Sequence, residues 1–398
     1  MLERADARRG SDAVREDDEN SIHRGGPRSE GNLELFFDLV FTFAMSQVTV
    51  IVLHDLSPRG FGRAALALLA VWWAWAGYTW LINTFDAPDV WHEAVVIAAM
   101  AAMLVAAAAL PAAFGSGALV FAIGLLVVRL IHVAKFVALA SHEDAALRQG
   151  TRRIAPAFVA APACIVAAAL MDSPGRELLW IAAAVIDYGA PGVLGLGGFR
   201  ISPSYFVSRH GSIIIIALGE VVVGLGGAAR DLGRWEVIAA LVLGVAVMAT
   251  FWWTYFGLTS GARQRLEQAT GIERAHLARD AYSYLHLPLV AGIMLFAVGA
   301  HATIEHATHP LPLPPAVALA GGMALFYLAD VAYRWRDHRQ APVDRTLTGV
   351  AAAATLPALL HMPALAALGL LAGIGVCRLV WELLRRPRVG PAVAGQAR

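Results

Sequence analysis

The sequence predicts an all-α membrane protein of about twelve transmembrane helices, arranged as two parallel six-helix repeats. Three observations lead there. Of the 398 residues, 58% are hydrophobic and only 15% charged, with a mean hydropathy of +0.61. A soluble domain of this length carries about 25% charge. Twelve apolar stretches of roughly spanning length follow one another along the chain. The two halves also echo each other in order, which two copies of one unit would produce.

Residues 1–32 are charged, rich in Gly and Arg, and lack an apolar h-region. They read as a disordered cytoplasmic tail, not a signal peptide. The expected spans are 33–53, 63–83, 93–114, 118–140, 154–171 and 177–196 in the first repeat (33–196). In the second (210–384) they are 210–228, 235–258, 284–305, 315–335, 344–361 and 363–384. Residues 385–398 form a second tail. Pro162, Pro288 and Pro357 fall inside expected spans, where each kinks or interrupts its helix. On one side of the bilayer the tails and loops carry 23 Arg, Arg200 and Arg209 among them. The opposite loops carry 5: Arg59, Arg63, Arg176, Arg230 and Arg234. That bias puts both termini in the cytoplasm and needs an even helix count.

The repeat match aligns FAMSQV (43–48) with IALGEV (216–221), which sets Gln47 opposite Glu220. It aligns Trp72–Trp73 with Trp252–Trp253, His92 with His286, Arg129 with Asp330, and Asp187 with Arg378.

The polar residues are the candidates for function. Glu34, Asp38, Thr42, Ser46 and Thr49 recur every three or four residues, so they form one stripe on the first helix. Carboxylates in lipid are costly and must face protein or water. Asp38 reads equally well as a structural partner of a neighbouring helix or as part of a path. Glu220 sits about ten residues into the seventh span, roughly 15 Å deep, among Gly219, Gly224, Gly226 and Gly227, which admit a close backbone. It is expected to face the first helix across a polar cavity. Trp72, Trp73, His210 and His286 complete the expected path. Arg129 with Asp187, and Asp330 with Arg378, read as buried ion pairs, one per repeat. His132 and Lys135 extend the Arg129 face. His301, Glu305 and His306 are weak metal candidates beside His309, with a solvated helix end as the simpler reading. Cys164 and Cys377 read as structural thiols. No Walker, GxSxG, HExxH or dinucleotide motif occurs, so no catalytic residue or cofactor is expected. A net charge of +1 gives no reason to expect nucleic acid. The expected partners are membrane lipid and a small solute or ion.

ELFFDLVFTFAMSQV (34–48), RHGSIIIIALGEVVVGLGG (209–227) and YLHLPLVAGIMLFAVG (284–299) resemble the low temperature requirement A family of bacterial membrane proteins, from residue 33 to about 384. The family pattern has an acid before the Arg of the second block, where this chain has Ser208. FFDLVFTFA is also similar, more faintly, to the signature that opens each six-helix repeat of a family of lysosomal and bacterial potassium channels. Here Phe37 replaces the serine of that signature. The leading expectation is movement of a small solute or ion between the repeats, along the first and seventh helices. The alternatives are a potassium-like channel, an intramembrane enzyme acting on a lipid or isoprenoid carrier, and a non-transporting membrane organiser.

Cysteine labelling from either side of the membrane is predicted to find residues near both termini on one face and the 306–314 loop on the other. Termini on opposite faces would contradict the even count.

Overall fold

The structure, a computed structural model, describes residues 32–84, 90–257, 259–339 and 341–385. The two expected tails beyond these limits lie outside the described residues. So does the side chain of His92. The described chain is 85% helix without strands. In order the helices are α1 (Asn32–His54), α2 (Pro58–Thr84), α3 (Val90–Ala109), α4 (Ala118–Ala140), α5 (Ala145–Ala169), α6 (Gly175–Val193), α7 (Pro203–Ala228) and α8 (Trp235–Phe256). They continue as α9 (Thr259–Gln268), α10 (Gly271–Leu277), α11 (His286–Glu305), α12 (Leu313–His338), α13 (Val343–Ala354), α14 (Leu356–Leu359) and α15 (Ala364–Arg385). A π-helical turn, Ala278–Tyr284, joins α10 to α11.

Ten helices among the described residues are long and apolar enough to cross a membrane. This is a multi-pass membrane protein. The sixth and eleventh expected spans are helical but fall outside the ten, for different reasons. α6 has 19 residues and carries Arg176, Glu177 and Asp187. The other is cut into α13 and α14 at Thr355, just before Pro357. Pro288 also stands near a helix start rather than mid-span, because the π turn ends just before it. Pro162 alone of the three lies in a helix interior, and Pro288 and Pro357 fall in the first turns of α11 and α14.

Apolar side chains such as Leu39, Val105, Val185, Val223 and Val242 point outward, while Asp38, Arg129, Arg209, Asp330 and Arg345 are buried. Water would reverse that arrangement, whereas lipid favours it. α1 packs on α2 and α3, and the contacts then run α3–α4, α4–α5, α5–α6 and α6 back to α2. α7 packs on α8 and α11, followed by α11–α12, α12–α13, α13–α15 and α15 back to α8. The order of neighbours is the same in both halves.

α7 starts seven residues earlier than the sequence suggests. Ser202 is extended at the N-cap and Pro203 takes a first-turn position, where its fixed φ favours helix and its missing N–H is harmless. Arg209, expected in the preceding loop, is therefore inside the helix, and His210 lies two turns in rather than at its start.

Close helix contact comes from other glycines than those expected. Gly219, Gly226 and Gly227 face open space, and only Gly224 approaches a backbone, that of Ala297. The tight pair is α11–α12, where Gly292, Gly299 and Gly322 sit against the facing main chain. A Cβ on Gly322 would lie 2.3 Å from the Phe296 nitrogen. Without bulk lipid gaining anything from burial, such backbone approach is what holds membrane helices together. Gly322→Ala is predicted to lower stability by about 1–3 kcal/mol through overpacking, and Gly226→Ala to be silent. Thermal unfolding in detergent measures both.

Candidate functional site between the first and seventh helices

α1 and α7 meet at three levels. Near their N-terminal ends the Tyr205 hydroxyl points to Glu34 Oε1 at 3.5 Å, a marginal contact. One turn on, Arg209 grips Asp38 with both terminal nitrogens, at 2.7 and 2.8 Å. Deeper still, Ser46 Oγ donates to Glu220 Oε2 at 2.6 Å. Contacts rising in step along both helices mean that α1 and α7 run parallel.

The middle level is the most enclosed. Arg209 is wholly buried and Asp38 is 2% exposed. Trp75 Nε1 donates to Asp38 Oδ1 at 3.0 Å, and the guanidinium lies 5.8 Å from the Trp75 ring centre. Bidentate geometry and a third donor meet the conditions under which a buried pair holds its charge. Thr42 turns back to its own helix and donates to the Asp38 carbonyl at 2.9 Å. Phe37, at the serine position of the channel signature, packs on Phe41 and Tyr78 at 4.8 and 4.9 Å between ring centres.

His210 follows Arg209 and carries the site sideways. Its Nδ1 bonds the Phe206 carbonyl at 2.8 Å, and its ring meets those of Trp75 at 5.1 Å, Tyr282 at 5.2 Å and His286 at 5.0 Å. His286 in turn bonds the Tyr255 hydroxyl and the Ala281 carbonyl, each at 2.9 Å. Trp72 Nε1 donates to the Ser283 carbonyl at 2.7 Å. The π turn thus presents carbonyls to ring donors from two neighbouring helices.

Several expected roles are redistributed. Glu220 meets Ser46, one residue short of Gln47, and they touch directly, so contact replaces the cavity expected there. Gln47 is half-buried beside this contact. Trp73 does not share the site of Trp72. Adjacent residues on a helix point about 100° apart, and Trp73 packs on Tyr188 and Tyr284 at 4.5 and 5.7 Å.

Arg129 is bonded to Asp187 and also donates to the Trp73 carbonyl at 3.2 Å. Asp330 does not pair with Arg378. It takes Arg334 at 2.9 Å and Arg345, which lie one turn along α12 and at the start of α13. Arg378 takes Glu382 at 3.0 Å and the Thr254 hydroxyl at 2.9 Å. His132 is buried and Lys135 half-buried on α4. His301 binds the Gly224 carbonyl at 3.0 Å and lies 3.7 Å from Glu305. His306 turns to the Ala302 carbonyl at 3.1 Å, so these three do not converge on one point.

Residues 30–380 match the model of the bacterial low temperature requirement A protein, LtrA. The chain belongs to the LtrA family. An uncharacterized protein of Rhizobium meliloti (strain 1021) is 27% identical over 304 residues, covering 74% of each chain. The LtrA match spans α1 and nearly all of α15, so the paired α1–α7 site lies wholly within the family region.

Arg209 was hidden from sequence reasoning because the seventh expected span starts at His210, which leaves Arg209 in the preceding loop. The available signal was spacing: Arg209 and Glu220 are eleven residues apart, three helical turns, and so share a face.

Asp38→Asn is predicted to destabilise by about 3–5 kcal/mol, since it leaves Arg209 buried without its counter-charge. Trp75→Phe removes one hydrogen bond to a buried carboxylate and should cost about 1.5–3 kcal/mol. The exchange Asp38→Arg with Arg209→Asp should recover part of the loss in the same unfolding measurement.

Proposed function

We propose that this LtrA-family protein moves a small solute or ion across the bacterial inner membrane, along the seam between two parallel six-helix repeats. The observation that carries this reading is Glu220, a carboxyl 6% exposed and held by the Ser46 hydroxyl on the plane where the halves meet. Intramembrane carboxyls of this kind mark ion and proton routes. Asp38 and Arg209 close the same seam about 12 Å nearer the N-terminal end of α1, so passage requires them to part.

The matching order of neighbours in each half supports the repeat. Parallel α1 and α7 also support five intervening crossings, with α6 as one of them despite its charges. Arg209, Arg334 and Arg345 are buried and leave the Arg count, which then stands at 20 to 5. The bias still favours cytoplasmic termini.

An enzyme acting on lipid finds less support. An apolar groove between α1, α2 and α11 is lined by Val52, Phe61, Leu68, Met294 and Val298, with Thr49 as its polar group. It offers no acid or base. The organiser reading is favoured by one observation: Asp38, Arg209 and Glu220 are all partnered across the seam.

Proteoliposome flux with a panel of potassium, sodium, protons and small neutral solutes separates these. Glu220→Gln is predicted to keep the fold, because Gln accepts the Ser46 hydrogen bond in the same volume, and to lower flux at least tenfold. Equal flux in the variant would remove Glu220 from the route. No flux of any kind from stable protein would favour the organiser.

A further inference from the structure

α5 begins with a concentration of positive charge that nothing in the described protein balances. Arg148, Gln149, Arg152 and Arg153 share one face of its first turns and are all exposed. With Ala145 they frame a cleft of about 440 Å³. Among the described residues, none of the three guanidiniums has an acid, a carbonyl or a ring as partner. Every other arginine described on the Arg-rich side of the protein has one. Arg263 holds Glu267 at 2.8 Å, Arg336 holds Asp280 at 2.9 Å, Arg274 caps carbonyls, and Arg385 lies 4.0 Å from the Trp381 ring centre.

The acids nearest in sequence are already taken. Arg200 binds Asp144 and lies 3.5 Å from Glu143. Asp144 also caps α5, accepting from the Leu147 amide at 2.9 Å. Arg148 and Arg152 are four residues apart, a spacing at which like charges on a helix repel. The arrangement is therefore unfavourable by itself and favourable once an anion enters the cleft.

The membrane supplies that anion. α5 is one of the helices long and apolar enough to cross the bilayer, and its apolar run starts at Ile154, directly after the cluster. Arginines at such a boundary extend their heads to the level of the lipid phosphates. On the face of Arg152, α5 continues as Pro156, Ala160, Ala163 and Ala167, all exposed. Hydrocarbon chains lie against that surface.

We propose that this cleft binds the headgroup of an anionic phospholipid, whose acyl chains run along the outer face of α5. A guanidinium fork matches two phosphate oxygens at once. The Gln149 amide donates to a headgroup hydroxyl or accepts from it. Basic clefts between membrane helices hold anionic headgroups in this way. A zwitterionic headgroup carries its own cation into the cleft, where the three arginines repel it.

The site borders the link between the two halves. Gly150 leaves room for the Gly197 carbonyl, and Gly198, at φ +94°, lets the same segment press on the Ala146 carbonyl. A Cβ on Gly197 would lie 3.7 Å from Arg153 Nη2. The bound headgroup thus sits beside the segment that leads into α7.

The test uses the full chain in detergent micelles doped with phosphatidylglycerol or with phosphatidylcholine of the same acyl chains. Native mass spectrometry and thermal shift should show phosphatidylglycerol binding at least tenfold more tightly. Arg148→Gln, Arg152→Gln and Arg153→Gln together should bring the two lipids within twofold of each other. In phosphatidylcholine that variant should melt no lower than the parent, because these side chains hold nothing in the fold. Arg263→Gln with Arg265→Gln removes arginines already paired with acids and should leave the preference intact. Glycerol phosphate, a headgroup without tails, should bind at least a hundredfold more weakly than phosphatidylglycerol. Equal affinity for the two lipids, or a preference that survives in the triple variant, overturns the proposal. So does glycerol phosphate binding as tightly as the lipid, which would make the ligand a soluble phosphate. A preference that appears only after Glu16, Asp17, Asp18 and Glu19 are neutralised gives the cleft to the chain's own acidic run and overturns it too.

Discussion

The bidentate bond between Asp38 and Arg209 is the constraint on which the arrangement of the two halves depends. Neither residue is tolerable alone at its depth, since an ionised group in hydrocarbon must find a partner or water. Together, with the Trp75 N–H as a third contact, they fix the register of α1 against α7. That register brings Ser46 to Glu220 and sets His210 among the rings of α2, the π turn and α11. Sliding one helix past the other by a single turn would break the ion pair and the Ser46 bond together.

Within each half a different arginine device does similar work. In the first, Arg129 ties α4 to the Trp73 carbonyl of α2 and to Asp187 of α6. In the second, Arg334 and Arg345 converge on the Thr254 carbonyl of α8, at 2.8 and 2.9 Å, and share Asp330. The second helix of each half therefore gives up a carbonyl to an arginine from a later helix, mid-helix at Trp73 and near the C-terminal end at Thr254. The acids that balance those arginines come from different places, although the order of helix contacts is the same in both halves.

Much of this was legible in the sequence. The stripe on α1 and the lone carboxyl of α7 point to each other by their cost in lipid alone. What was not legible depended on helix limits. Arg209 looks like a loop charge when the seventh span is drawn only where hydropathy is high, and Arg334 and Arg345, at the edges of the tenth and eleventh expected spans, count with the loop between them. Each lies in or beside a helix that continues past its apolar run. Misplacing them mispaired Asp330 and left Asp38 without its partner. The Trp72–Trp73 doublet failed for a simpler geometric reason, because neighbours on a helix face different walls. The glycines of α7 were an over-reading: small residues permit close approach, but the facing helix decides where it happens.

The seam has a consequence for biogenesis. Asp38 and Arg209 are 171 positions apart, and Ser46 and Glu220 are 174 apart. A ribosome adding about 5–20 residues per second takes on the order of 10–35 s to make that stretch. For that interval Asp38 lacks Arg209, which has not yet been synthesised. Asp38 must stay protonated, stay wet, or be sheltered by a chaperone until α7 emerges. The first half, with Arg129 and Asp187 only 58 positions apart, closes on itself much sooner. The contacts that tie α2, α4 and α6 together can therefore form long before those that tie α1 to α7.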